Sequence, residues 1–247
     1  MPAGFFLVLS ALGSQAALSG YIAIYYWWTG QEVRRLVLLM GTTLAINLAL
    51  KSYFDLPRPE GYFGLAGLGT ETASFPSGHA QAAGSFFTYW GLKRGGWTWV
   101  LVIAAAVSIS YSRVGLGVHY PRDVIAGLVI GAVLAFPFAR FTPMPDSRIA
   151  LGIAMLLLIM GALVVPGIAS ALGIAAAGLV SGFADQLPAT PRPKLVLCAL
   201  GVISTLIIGA GFYQLLGSGS LSQFLLTGLL VAWALRGWPW LYRRIFV

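Results

Sequence analysis

The sequence predicts an all-α, polytopic helical membrane protein with about nine transmembrane helices. Hydrophobic residues make up 58% of the 247-residue chain and charged residues only 9%, whereas an ordinary soluble domain carries about 25% charged residues. Apolar runs of 15 to 24 residues recur along the whole chain, and a spanning helix needs about 20 residues, or fewer if one end lies below the headgroups. No stretch of soluble-domain composition separates them, so we expect residues 1–247 to form a single integral-membrane domain.

Nine apolar runs are the candidate spans. The first has neither a basic n-region nor an Ala-x-Ala-like cleavage site, so it is predicted to be a retained helix and not a signal peptide. Only Pro166–Gly167 separates the sixth run from the seventh. In chain order the predicted spans are Phe5–Trp28, Leu36–Tyr53, Ser77–Leu92, Trp97–Ser112, Pro121–Ala139, Ile149–Val165, Gly167–Phe183, Leu195–Leu216 and Leu221–Leu235.

The basic residues predict the orientation of these spans. With nine spans the connecting loops alternate sides, and eleven of the fifteen Lys and Arg residues fall on one side. Cytoplasmic loops carry such an excess, so we expect the N-terminus outside and the C-terminus inside. Cytoplasmic loops also account for the net charge of +8, and no nucleic-acid partner is expected. The four basic residues on the outer side are Lys51, Arg58, Arg113 and Arg122.

These outer cations lie in three polar stretches that the nine-span arrangement places on one face. The stretches are "KSYFDLPRP" (Lys51–Pro59), "FPSGH" (Phe75–His79) and "YSRVGLGVHYPRD" (Tyr111–Asp123), and they contain both histidines of the chain. The chain from Ile149 onward has no comparable cluster.

The stretch "FPSGH" has the features of a helix start that binds an anion. Pro76 suits the beginning of a helix, Ser77 is a favourable cap, and Gly78 allows a ligand to approach the backbone. The free amides and the positive end of the helix dipole attract negative charge. An ordinary helix start without a ligand is the alternative interpretation.

The stretch "HYPRD" has the features of an oriented histidine. Pro121 is predicted to be the first helical residue, with Tyr120 as its cap and Asp123 at the third position, where a carboxylate folds back over the cap. From there Asp123 can reach His119 by a hydrogen bond, which sets the tautomer and leaves the other ring nitrogen free to attack. The alternative is that Asp123 only caps the helix.

The cations complete the interpretation of this face. Lys51, Arg58 and Arg113 are costly near a bilayer unless they meet an anion or extend to the headgroups. Arginine matches phosphate oxygens in a bidentate way, and lysine acts as a point charge. Together with the helix start and the histidine they predict a phosphate site with its own nucleophile.

A metal site is the weaker alternative. Two histidines and one distant cysteine are too few for a usual zinc site. Asp55, Glu60 and Glu71 could hold a magnesium ion with Asp123, but a carboxylate–metal centre does not need three cations beside it. We therefore expect no metal and no cofactor.

At these residues the sequence resembles the type 2 phosphatidic acid phosphatase (PAP2) superfamily. The family signature K-x6-R-P, P-S-G-H and S-R-x5-H-x3-D is matched at every position. The resemblance covers roughly residues 33–140 and implies a PAP2-like helical core, with residues 149–247 as additional C-terminal transmembrane helices. The matching stretches begin at Lys51, Pro76 and Ser112.

The resemblance implies a role for each signature residue. His119 would attack phosphorus and become a phosphohistidine, Asp123 would orient it, and His79 would protonate the leaving oxygen. No metal or cofactor is implied. The phosphate oxygens would be held by Lys51, Arg58, Ser77, Gly78 and Arg113.

The resemblance further implies a membrane hydrolase of phosphoric monoesters or diphosphates. Its substrate would be a lipid phosphate of the outer leaflet, of the phosphatidate, isoprenyl diphosphate or sphingoid phosphate type. The nine-span, N-out arrangement is similar to the glucose-6-phosphatase and sphingosine-1-phosphate phosphatase branches, so a small soluble phosphate ester is the runner-up substrate. A non-catalytic transporter or scaffold for anionic lipids is the third hypothesis, although binding alone needs neither a nucleophile nor an acid.

The motif spelling "PSGHA" with "GVHYPRD" is typical of bacterial members. We therefore expect a place in the bacterial inner membrane, with the active site facing the periplasm. The glycine-rich stretch Gly61–Phe75 is predicted to be a mobile lid beside an opening towards the lipid. The sequence makes no prediction of the oligomeric state.

Overall fold

The computed structural model describes residues 3–29, 33–60, 73–140, 194–216, 226 and 229–246. In these ranges the regular structure is helical throughout, without a strand. A π-helical turn, Trp233–Gly237, leads into the last helix. The α-helices are α1 (Ala3–Leu12), α2 (Gln15–Thr29), α3 (Arg34–Phe54), α4 (Gly78–Arg94), α5 (Thr98–Gly115), α6 (Pro121–Arg140), α7 (Lys194–Leu216) and α8 (Trp238–Phe246).

The predicted class, a helical membrane protein, is confirmed. Helices α3 to α6 begin and end within three residues of the predicted spans. By length and composition, α3, α5 and α6 can cross a membrane, and α1 with α2 counts as a fourth span if the bent pair is taken as one. The predicted spans Ile149–Val165 and Gly167–Phe183, and seven of the fifteen residues of Leu221–Leu235, lie outside the described residues. The count of nine therefore stays a prediction.

The prediction of one continuous first helix, Phe5–Trp28, is wrong, because the chain breaks between α1 and α2 at Gly13 and Ser14. The Ser14 hydroxyl accepts a hydrogen bond from the amide of Ala17 at 3.2 Å, which caps the start of α2. A Cβ atom at Gly13 would overlap the side chain of Ile109 on α5. The break therefore lies where α5 packs directly against the backbone.

The predicted end of the last helix at Leu235 is also wrong. The chain stays helical to Phe246 through the π-helical turn, in which the amide of Trp238 donates to the carbonyl of Trp233. Proline lacks an amide proton and is tolerated only in the first turn of a helix. The π-helical turn places Pro239 in the first turn of α8, so it does not end the helix.

The chain divides into two compact units. The first contains Met1–Leu18 with Thr43–Thr142, and the second contains Ser19–Thr42 with Pro143–Val247. In the first unit, α4 packs against α5 and α6, and α1 packs against α5. The second unit contains indole hydrogen bonds, such as the one from Trp238 Nε1 to the carbonyl of Leu197 at 2.9 Å. All predicted site residues belong to the first unit.

Glycines bring the backbones of α4 and α6 into direct contact. A Cβ atom at Gly127 would lie 2.6 Å from the carbonyl oxygen of Ser77, and one at Gly131 would lie 2.7 Å from the amide nitrogen of Ser85. The spacing of four residues puts both glycines on one face of α6, the small-residue pattern that lets membrane helices approach closely. The N-terminal ends of α4 and α6 are therefore held side by side.

Buried polar side chains tie α4 to the second half of α3. Asn47 Nδ2 donates to the carbonyl of Pro76 at 3.2 Å and to Gln81 Oε1 at 2.9 Å. Gln81 Nε2 in turn donates to the carbonyl of Thr43 at 3.0 Å. Among apolar helices such polar groups need partners, because none is supplied by the lipid. The network fixes the turn before α4 one helical turn away from Lys51.

Candidate active site

The three polar stretches meet at one end of the first unit, as predicted. The backbone amide of Ser77 donates to the carbonyl of Asp123 at 3.0 Å, which joins the second stretch to the third. Arg58 Nη1 donates to the carbonyl of Val118 at 2.8 Å, which joins the first to the third. Residues far apart in sequence thus line a single site.

Asp123 occupies the predicted capping position. Helix α6 begins at Pro121, and Asp123 Oδ2 accepts a hydrogen bond from the amide of Tyr120 at 3.0 Å. The side chain is fully buried, and its Oδ1 lies 3.6 Å from Nε of the exposed Arg122. The cap holds the carboxylate beside the loop that contains His119.

The hydrogen bond predicted between His119 and Asp123 is replaced by a bridge. His119 Nδ1 and Asp123 Oδ2 are 3.5 Å apart, longer than an ordinary hydrogen bond between such groups. The Ser74 hydroxyl contacts both, at 3.2 Å from Nδ1 and 2.5 Å from Oδ2. Ser74, which lies two residues before Pro76, is therefore a site residue that the motif analysis missed.

The environment of His119 indicates which ring nitrogen is unprotonated. Its Nε2 lies 3.5 Å from Arg58 Nη1. A guanidinium group can only donate hydrogen bonds, so Nε2 must be the acceptor and Nδ1 must carry the proton in the neutral ring. The nitrogen with the free electron pair therefore faces the arginine.

The charge state of His119 follows from its surroundings. Burial lowers the pKa of His119 to about 2, assisted by the positive charges of Arg58, Lys51 and Arg113. The ring is thus held neutral beside a cluster of cations, so its free electron pair is available to attack an anionic substrate.

The start of α4 presents polar groups in the same place. Ser77 is the N-cap residue, but its hydroxyl makes no capping hydrogen bond, and the buried Oγ has no partner in the described part of the chain. Gly78 begins the helix and lies against Asn47, whose Oδ1 would be 3.0 Å from an added Cβ. His79 follows as a partly buried residue. The turn therefore offers a free hydroxyl and the positive end of a helix to an anion.

The remaining cations are buried and held by oxygen atoms. Lys51 Nζ donates to the carbonyls of Ala73 and Ser74. Arg113, near the end of α5, donates through Nη1 to the Ser10 hydroxyl of α1. Both side chains are less than one-tenth exposed. The predicted lid, Gly61–Phe75, lies outside the described residues as far as residue 72.

Several of these contacts involve residues that carry no motif. Ser10 and Asn47 are polar residues within apolar helices, and Ser74 comes directly before the stretch that begins at Phe75. A polar side chain in a membrane helix is itself a functional signal. That signal identifies Ser10 and Asn47 as candidate site residues, but it does not identify the residues that they contact.

The family assignment agrees with this geometry. Residues 32–146 match the family model described as the PAP2 superfamily. This part of the chain is a PAP2 domain. It contains all the signature residues and, with them, Asn47, Ser74 and Gln81, while Ser10 lies outside it.

Curated relatives carry phosphatase names. The chain is 36% identical over 98 residues to an undecaprenyl-diphosphatase of Sulfolobus acidocaldarius, covering 40% of this chain and 42% of the relative. It is 38% identical over 129 residues to a lipid A 1-phosphatase of Rhizobium johnstonii, covering 48% and 51%. It is 31% identical over 128 residues to the undecaprenyl-diphosphatase BcrC of Bacillus subtilis, covering 49% and 66%.

The chain spans about half the length of the first curated relatives it matches. No solved structure matches it.

Proposed function

We propose that the protein is a membrane phosphatase that hydrolyses lipid phosphate monoesters or diphosphates through His119. The observation that carries the proposal is the buried, neutral His119, whose unprotonated Nε2 faces Arg58. The unpartnered Ser77 hydroxyl beside it supports an anionic ligand in the same place. A non-catalytic binding site would need the cations but not an oriented nucleophile.

In the first step, Nε2 of His119 attacks phosphorus. The N–P bond forms as the bond from phosphorus to the leaving oxygen breaks, and a protonated His79 gives its proton to that oxygen. Negative charge on the phosphoryl oxygens is stabilised by the surrounding donors. These donors are Lys51, Arg58, Arg113, the Ser77 hydroxyl and the Gly78 amide.

In the second step, water hydrolyses the phosphohistidine. His79, now neutral, accepts a proton from the water as its oxygen bonds to phosphorus and the N–P bond breaks. Inorganic phosphate leaves and the His119 ring returns to its neutral form. Asp123 supports the positive charge that the ring carries while it is phosphorylated.

Three cations supply the positive charge that a metal ion would otherwise provide, so the reaction is expected to be independent of metal. EDTA should leave the turnover of the purified enzyme unchanged. Loss of activity in EDTA, restored by Mg²⁺, would contradict this part of the proposal.

The substrate class follows from the depth of the site. Helix α4 has 17 residues, and at about 1.5 Å per residue it spans about 25 Å, less than the roughly 30 Å hydrocarbon core. With Lys93 and Arg94 at the inner headgroups, Ser77 and His79 lie at or just below the outer headgroups. A lipid phosphate is already at that depth, whereas a soluble ester must enter it.

The names of the relatives support the same substrate class, since they include enzymes for undecaprenyl diphosphate and for lipid A. We place the protein in a bacterial inner membrane with the site facing the periplasm, because most basic residues fall on the opposite side in the nine-span arrangement.

The test is phosphate release by the purified protein across a substrate panel. The panel contains phosphatidate, phosphatidylglycerol phosphate, an isoprenyl diphosphate, lipid A 1-phosphate, a sphingoid phosphate and glucose 6-phosphate. The wild type should turn over at least one lipid more efficiently than the sugar. His119→Ala should lose about a thousand-fold or more, and Asp123→Asn about 100- to 10,000-fold.

Two outcomes would contradict the proposal in different ways. Activity that survives His119→Ala would remove the nucleophile. A higher kcat/KM for glucose 6-phosphate than for every lipid would favour the hypothesis of a small soluble phosphate ester as substrate and would leave the mechanism unchanged.

A further inference from the structure

The structure contains a side chain between the proposed nucleophile and its carboxylate. We infer that Ser74 is a positioning residue for His119: Asp123 acts on the imidazole through the Ser74 hydroxyl and not by a direct hydrogen bond. The inference rests on the proposed function, since it concerns how that reaction's nucleophile is held.

The distances place the Ser74 hydroxyl between His119 and Asp123. The Ser74 hydroxyl is nearer to both partners than they are to each other, at 3.2 Å and 2.5 Å against 3.5 Å. All three side chains are at least nine-tenths buried, and Ser74 is fully buried. Oδ2 is the carboxylate oxygen that also accepts the Tyr120 amide, so the carboxylate is held in place by its cap.

The directions of the hydrogen bonds support the same arrangement. Arg58 can only donate, so the proton of the neutral His119 ring is on Nδ1. That N–H donates to Ser74 Oγ, and the Ser74 hydroxyl proton then points to Asp123 Oδ2. In this arrangement every donor meets an acceptor. If the ring proton were on Nε2 instead, the Nε2–H group and the Arg58 guanidinium would be two donors facing each other.

The backbone of Ser74 is also held in place. Its amide donates to the carbonyl of Leu56 at 2.8 Å, and its carbonyl accepts from Lys51 Nζ at 3.4 Å. The backbone of Ser74 is therefore bonded to the stretch Lys51–Pro59, while its side chain contacts His119 and Asp123 of the third stretch. A hydroxyl held at both ends can orient a ring, whereas a freely rotating one cannot.

The experiment compares variants that remove the Ser74 hydroxyl with variants that keep it. Ser74→Ala should lower kcat by about 10- to 100-fold with little change in KM, the cost seen when a residue that orients a functional side chain through a hydrogen bond is removed. Ser74→Thr keeps the hydroxyl and should recover most of the turnover. Ser110→Ala is the matched control, because it also removes a buried hydroxyl, one without a partner in the described structure.

A double-mutant cycle separates positioning from packing. If Ser74 acts through Asp123, adding Ser74→Ala to Asp123→Asn should lower kcat by less than about threefold further, because the path is already broken. Independent effects would multiply instead. Thermal unfolding of each variant in detergent checks that the fold is kept, and Ser74→Cys replaces Ser74→Ala if the alanine variant does not fold.

The outcomes distinguish this inference from the proposed function. Full activity of Ser74→Ala would overturn the role of Ser74, and so would losses of kcat that multiply in the double mutant. The proposed reaction would still be supported if the His119→Ala variant were inactive. A wild type without phosphatase activity, or an active His119→Ala, would overturn the proposed function itself.

Discussion

Two histidines with different surroundings share the proposed chemistry. His119 is held by Ser74 and faces Arg58, whereas His79 lies one residue into α4, beside the helix start that presents the Ser77 hydroxyl. We assign the attack on phosphorus to His119 and the proton transfers to His79. The two roles can be separated by the choice of leaving group.

A substrate with an acidic leaving group should bypass His79. A nitrophenolate leaves without protonation, whereas a lipid alkoxide does not. His79→Ala should therefore reduce kcat on a long-chain lipid phosphate at least about tenfold more than on nitrophenyl phosphate. Initial rates on both substrates measure this, with His119→Ala as the control that is silent on both. Equal losses in His79→Ala would remove the general-acid assignment.

The neutral state of His119 predicts a pH effect on stability. In the unfolded chain the ring takes up a proton below its ordinary pKa of about 6.5, whereas in the folded protein burial and the nearby cations lower the pKa of His119 to about 2. The unfolded state therefore gains protons that the folded state does not. The stability contribution is complete above pH 6.5 and declines as the pH falls below it.

His119→Gln cannot take up this proton. Its melting temperature in detergent should fall less between pH 7.5 and pH 5 than that of the wild type. Parallel melting curves of the two proteins give the comparison. An equal or larger fall in the variant would mean that His119 is protonated in the folded site.

At the scale of helices, the contact between α4 and α6 fixes the geometry of the site. Ser77 and Asp123 are joined by a backbone hydrogen bond only because Gly127 and Gly131 allow the two helices to touch. A side chain at either glycine must push α4 away. The result would be felt at the helix starts, where the phosphate is proposed to bind.

Gly131→Leu tests this contact. Overpacking of this kind costs about 1–3 kcal/mol or more, and we expect a lower melting temperature together with loss of phosphatase activity. Val133→Leu, at a position that is 66% exposed on the same helix, is the matched control and should behave as wild type. A fully active Gly131→Leu would show that the helix starts do not depend on this contact.

The helices were predicted better than their breaks. Apolar length, with Pro76 and Pro121 as start signals, placed α3 to α6 to within three residues. The break at Gly13 depends on α5 passing against it, and the extension beyond Leu235 depends on a π-helical turn. The first is an effect of tertiary packing and the second of local backbone geometry, and neither can be predicted from hydropathy.

The site shows the same division. Motifs identified the cations, both histidines and the Asp123 cap, because each has a fixed place relative to a helix end. Ser74 was missed because its role depends on two partners more than forty residues away. The Ser10 contact with Arg113 was missed for the same reason, since it joins helices about a hundred residues apart in the chain.

At the scale of the whole molecule, the proposed orientation places the site on the outer side of the membrane. The turn between α4 and α5 lies at the opposite end of these helices from Ser77 and Arg113. Glu60 and Trp97 are both exposed and mark the two ends. Single cysteines at these positions can report the orientation once Cys198 is removed.

In a Cys198→Ala background, Glu60→Cys should react with an impermeant thiol reagent in intact cells, whereas Trp97→Cys should react only after lysis. The positive-inside distribution of Lys and Arg is the physical reason. Labelling of Trp97→Cys alone in intact cells would reverse the orientation and place the site in the cytoplasm.

Because Ser74 contacts Nδ1 of His119, the structure also determines which ring nitrogen is phosphorylated in the proposed covalent intermediate. Phosphohistidine exists as two isomers, 1-phosphohistidine on Nδ1 and 3-phosphohistidine on Nε2. Because Ser74 and Asp123 occupy the Nδ1 side, only the 3-isomer can form without dismantling the bridge. Protein quenched in alkali during turnover should therefore react with antibodies against 3-phosphohistidine and not with those against the 1-isomer.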